Sequence, residues 1–86
     1  MRAFEIVPAH GILNFCEVIK YTRFGGVLVR WENNGIVMNI SKQNRESIIK
    51  DTPENRILAE EYLKVAKMEI FYAIEGKKLL NKMEGV

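Results

Sequence analysis

Eighty-six residues with 13 basic and 11 acidic side chains, a net charge of +2, are expected to form one folded domain spanning 1–86. The single cysteine, Cys16, excludes an internal disulfide, and a small protein without disulfides is expected in a reducing, cytoplasmic setting. Residues 1–41 hold four basic groups against three acidic, and residues 42–86 hold nine against eight, so neither half presents an electrostatic footprint for a phosphate backbone.

The chain opens with RAFEIV, which alternates as a strand does, Phe4 and Ile6 on one face and Glu5 on the other. This start lacks the apolar stretch of a signal peptide. No later run approaches the roughly 18–20 apolar residues of a membrane span, so no membrane partner is expected. PAHG is turn chemistry, and ILNFCEVIKY is a second strand rich in β-branched and aromatic residues. Its faces are mixed, because Glu17 shares a side with Leu13, Phe15, Ile19 and Tyr21. Such a strand is either covered on both faces or bulged near Glu17.

TRFGG is the next turn, and VLVRWENNGIVMNI reads as a hairpin. Asn34-Gly35 suits a two-residue type I′ turn, which would set Trp31 opposite Met38, Val29 opposite Ile40 and Arg30 opposite Asn39. One face is then Val29, Trp31, Met38 and Ile40; the other carries Arg30, Glu32 and Asn39. SKQNRESIIKD is expected to be a short helix or a structured connector, with Ile48 and Ile49 against the sheet.

A helix follows: Thr52 is a good N-cap, Pro53 suits the first helical position and Glu54 suits the positive end of the dipole. Gly76 ends this helix, kinks it or sits within it. An unbroken helix over 53–84 would run about 48 Å at roughly 1.5 Å per residue, too long for a domain this small. Its apolar sector also spans well over half the circle, where a helix lying on one sheet needs about 100°. A break near Gly76 with a second helix packing back would answer this. So would a symmetric homo-oligomer, most simply a dimer, with Leu58, Tyr62, Val65, Phe71, Ile74 and Leu80 in its interface.

The catalytic inventory is thin: one histidine (His10), one cysteine (Cys16) and one aspartate (Asp51). His10 and Cys16 lie six residues apart along a turn and an extended strand, which does not suit a nucleophile and its base. Gly25-Gly26 lacks the lysine and the helix of a phosphate-cradling loop. No catalytic residue, metal site or cofactor is expected. The remaining candidates are Tyr21, Arg23, Phe24, Arg30 and Asn39. They interleave basic and aromatic groups as single-strand nucleic-acid platforms do, and as any polar sheet face can.

These features describe an α+β domain: an antiparallel meander of about four strands over 1–41, then a helical part over 42–86 with a long C-terminal helix. The leading functional expectation is a non-enzymatic, self-associating binding or regulatory module that acts on a protein or a small anionic ligand. The alternative is a small single-stranded nucleic-acid-binding protein that uses the Tyr21–Asn39 face.

Overall fold

The structure, a computed structural model, describes residues 1–67 and 72–86. It is an α+β fold whose five strands form one antiparallel sheet: β1 (Arg2–Val7), β2 (Ile12–Tyr21), β3 (Val27–Trp31), β4 (Val37–Ile40) and β5 (Ile49–Lys50). The spatial order is β4-β3-β2-β1-β5. Two helices follow, α1 (Pro53–Val65) and α2 (Tyr72–Lys82).

The segment expected to be a helix or connector does something else. Arg45–Ser47 makes one 3-10 turn, and Ile49–Lys50 then returns to pair with Ala3 and Phe4. Residues 84–86 lie along the far side of β5, where the Lys50 amide donates to the Glu84 carbonyl at 3.0 Å and the Val86 amide to the Ile48 carbonyl at 3.0 Å.

The sheet buries both faces. On one, Ala3, Cys16, Val18, Val27, Val29 and Trp31 join Ile48 and Val86 in a core, with Ile40 packed against it. Among the described residues no helical side chain belongs to this cluster. The full burial of Val27 and Val29 therefore implies that the strands bend over their own face. A bulge in β2 supplies part of that bend, since the β2–β3 register shifts between Val18 and Lys20. The irregularity thus falls at Ile19, two residues beyond Glu17. On the other face Phe4, Ile49 and Ala59 form a second cluster with Ile6, Leu13, Phe15 and Met83 against it, and this is where the helices dock.

The hairpin register differs from the expected one. Val29 faces Met38, Arg30 faces Val37 and Leu28 faces Asn39, so the pairing has slipped by two residues. The loop is Glu32–Gly35, closed by the Gly35 amide on the Trp31 carbonyl at 2.8 Å. Among the non-glycine residues described none has a positive φ, so Asn34 does not make a type I′ turn. Instead its Oδ1 accepts from the Ile36 amide at 2.9 Å, and Gly35 alone takes the left-handed conformation, φ +71°. A two-residue slip keeps every side chain on its face, so Trp31 is still buried. Met38, expected beside Trp31, is instead half-exposed on the edge strand, and Cys16 is the cross-strand neighbour of Trp31.

α1 begins where its capping residues place it: the Thr52 side chain accepts from the Asn55 amide at 3.1 Å, and Pro53 is the first helical residue. The long helix is interrupted, but not at Gly76. α1 ends at Val65, α2 starts at Tyr72, and Gly76 is buried inside α2. The two helices form a hairpin tied to the sheet at its base. There Asn55, the one buried polar residue among those described, donates to the carbonyls of Lys50 (3.0 Å) and Glu84 (3.3 Å), and the Glu84 amide donates to its Oδ1 at 3.4 Å. The radius of gyration is 13.1 Å, near the about 12 Å of a compact chain of this length.

Candidate binding site

Three of the five arginines are committed to structure. Arg45 donates from Nε and a terminal nitrogen to the main-chain oxygen of Val86 (2.9 and 2.6 Å) and to the Gly25 carbonyl (3.1 Å), with its guanidinium 4.6 Å from the centre of the Tyr21 ring. Arg56 grips Asp51 with two hydrogen bonds, 2.6 and 2.9 Å, and Arg2 bridges Glu32 (3.0 Å) and Asp51 (3.4 Å). Both guanidinium groups lie against the Phe15 ring, at 4.1 and 4.9 Å from its centre. Hydrogen bonding to Arg56 holds the Asp51 carboxyl below its ordinary range.

The residues expected to form a binding face are only partly brought together. Arg23, Phe24 and Asn39 gather with Lys42 around a shallow groove at the 22–26 turn. Phe24 stands at its tip, 83% exposed, with the Arg23 guanidinium 5.7 Å from its ring centre. Gly26 lets this turn sit against β4, since a Cβ there would meet the Ile40 carbonyl oxygen at 2.5 Å. Arg30 shares the outer sheet face with Asn39, but Glu17 lies directly across from it and Glu32 two residues along. Tyr21 pairs with Val27 and so takes the opposite face, under Arg45. Phe24 is therefore the one aromatic that the described residues offer here, where single-strand platforms stack successive bases on several.

Of the residues expected in a subunit interface, Ile74 is 64% exposed and Leu80 41%; Ile57, on α1, is 61% exposed. Leu58 and Val65 are half-buried. Tyr62 is buried within its own chain, which leaves it little surface for a second copy. Phe71 lies outside the described residues.

Another concavity lies elsewhere, in a cleft of about 770 Å³ between β1, the 46–49 segment and α2. Ile6, Pro8, Ile49, Tyr62, Leu80 and Met83 give it apolar walls, and Glu5, Glu46 and Lys77 stand around it. Among the described residues none of these three charges has an ion-pair partner, whereas Glu32, Asp51, Glu75 and Glu84 are all paired. The cleft exists because β1 is six residues long while β5 covers only two of them, Ala3 and Phe4. The 3-10 turn at Arg45–Ser47 then leads the chain away from β1. No local motif announces this, since it comes from a length mismatch between strands far apart in the chain.

His10 is exposed in a 3-10 turn and Cys16 is fully buried in the sheet, so they form no catalytic pair. Burial, with Glu32, Glu5 and Glu17 nearby, pushes the Cys16 thiol up to about 11. Among the described residues no three His, Cys, Asp or Glu side chains gather to hold a metal ion. Nor, among those residues, is any helix long and apolar enough to cross a membrane. Fold and cleft together define a small α+β protein with a groove along an incompletely covered strand. No family model matches the chain, and no curated protein or solved structure matches it either.

Proposed function

We propose that this is a non-enzymatic binding module that receives a segment of a partner protein in the cleft beside β1 and associates with itself through the helical hairpin. The cleft carries the reading. Its volume lies within the about 300–1,000 Å³ of ordinary ligand sites, with apolar walls and a few polar groups to orient an occupant. Two acids against one base favour a protein segment over a small anion. Ile57 and Ile74, over 60% exposed on the hairpin, are the apolar surface that a second copy would cover. A lone buried thiol suits a reducing, cytoplasmic setting.

Native mass spectrometry of protein purified from cells tests both parts. The expected spectrum shows a dimer or higher assembly with a retained ligand. Leu80→Glu, inside the cleft, releases the ligand; Ile74→Glu, outside it, releases the subunits. A ligand-free monomer at high micromolar concentration, with the fold intact, refutes the reading.

A further inference from the structure

We infer that the cleft takes its occupant as an added β-strand, an extended peptide that pairs with β1 at Ile6 and alternates apolar with basic side chains. This rests on the cleft being a binding site and states what binds there. The hydrogen-bond phase of β1 supports it from both sides. The Val18 amide donates to the Met1 carbonyl at 2.7 Å, which makes Met1–Val18 a hydrogen-bonded pair. Antiparallel pairs alternate, so Ala3–Cys16, Glu5–Asn14 and Val7–Ile12 are bonded, and Ile6–Leu13 is not. The main-chain groups of Arg2, Phe4 and Ile6 therefore point away from β2. Arg2 meets β5 through the Asp51 amide at 3.1 Å, and Phe4 pairs with Ile49. Ile6 comes next in this series, and Ser47 would be its partner, but the Ser47 amide donates to Asn44 at 3.1 Å within the 3-10 turn. Among the described residues the Ile6 amide and carbonyl have no partner on this edge, and they face the cleft.

An open donor and acceptor beside an apolar groove is the arrangement used for strand addition. The side chains of an added strand would alternate in direction as those of β1 do. On one side they would meet Ile6, Leu80 and Met83; on the other, Glu5, with Glu46 on the bank opposite. The first environment selects an apolar side chain. The second holds two carboxylates with no ion-pair partner and selects lysine or arginine. The occupant is thus an apolar–basic–apolar peptide, in neither a helical nor an acidic form.

A displayed library of short linear peptides, panned on the intact protein with Leu80→Glu as the counter-selection, supplies the probe. The enriched sequences are expected to alternate apolar with basic residues. N-methylation along the best peptide should weaken binding about tenfold or more at one position, the residue set opposite Ile6, and leave its two neighbours nearly unchanged, because only that amide meets an open carbonyl on β1. Bound peptide should slow hydrogen exchange at the Ile6 amide. Ile6→Pro should abolish binding without breaking the ladder to β2; if that variant does not fold, the N-methyl series and the exchange measurement still decide. Overturning results are no enrichment, enrichment of helical or acidic peptides, or N-methyl effects that are absent or spread evenly over neighbouring positions. A small molecule retained in native spectra and released by Leu80→Glu would also sink strand addition while leaving the cleft a binding site.

Discussion

Replacing Asn55 with alanine should cost about 2–3 kcal/mol, and the structure shows where the loss arises. Asn55 donates to the Lys50 and Glu84 carbonyls at 3.0 and 3.3 Å and accepts from the Glu84 amide at 3.4 Å. Neither carbonyl is orphaned by the change, because the Thr52 amide also reaches Lys50 O and the Lys50 amide also reaches Glu84 O, both at 3.0 Å. Glu84 is exposed, so its amide can turn to water. The loss is then two good hydrogen bonds at about 1 kcal/mol each, plus a smaller term for the weak third and for lost packing. Asn55→Asp separates this account from a volume effect. The carboxylate is nearly isosteric, yet it removes both donors and sets oxygen against oxygen at a buried position. It should destabilise more than alanine at neutral pH and recover in acid, where the group can protonate. Urea unfolding of both variants between pH 4 and 8 is the assay. If Asn55→Ala falls within about 0.5 kcal/mol of the parent, or Asn55→Asp is no worse than alanine, the latch does not hold the helices to the sheet.

Trp31→Ala should cost about 3–5 kcal/mol in the same assay, since the indole is 7% exposed in the core of the curved face, and folded protein should show a blue-shifted tryptophan spectrum. Gly26→Ala should destabilise by about 1–3 kcal/mol, because a Cβ placed 2.5 Å from the Ile40 carbonyl oxygen forces the turn off β4; unchanged thermal unfolding would contradict the close approach. The Asp51 carboxyl titrates below its ordinary value in the folded chain. Its contribution is therefore complete above the unfolded value, about 3.9, and is lost as pH falls from there through the lower folded value. Asp51→Asn should flatten that part of the acid limb in a pH series of denaturation curves.

The readings that succeeded rested on neighbours in sequence. Thr52, Pro53 and Glu54 start α1 because capping is settled within one turn. The hairpin faces survived a wrong register because the slip was by two, which preserves the period of a strand. Asn34-Gly35 misled because an asparagine can also hold a longer loop through its own side chain, as it does on the Ile36 amide. Gly76 sits within α2, one of the three placements open to it, because a glycine inside a helix costs only about 1 kcal/mol relative to alanine, which helix packing can offset. β5 was invisible as a strand because two residues show no period, and its partners, Ala3 and Phe4, lie far earlier in the chain. Phe24, Arg23 and Asn39 could be grouped because they flank one turn and its neighbouring strand. Glu5, Glu46 and Lys77 could not, since only the completed sheet and helix bring them to one cleft.

The strand order also sets a timetable. β1 to β4 are joined by short turns and can zip up from one hairpin to the next, each step closing a small loop. Their curved face is finished only when Ile48 and Val86 arrive, and β1 gains its outer neighbour only when Lys50 reaches Ala3. A refolding chain should thus pass through a stage with the meander formed, its apolar face uncovered and the outer edge of β1 bare along its whole length. Two such chains can complete each other's sheets by exchanging the 48–86 segment. Refolding at high protein concentration should therefore leave a slowly separating, domain-swapped fraction that dilute refolding does not.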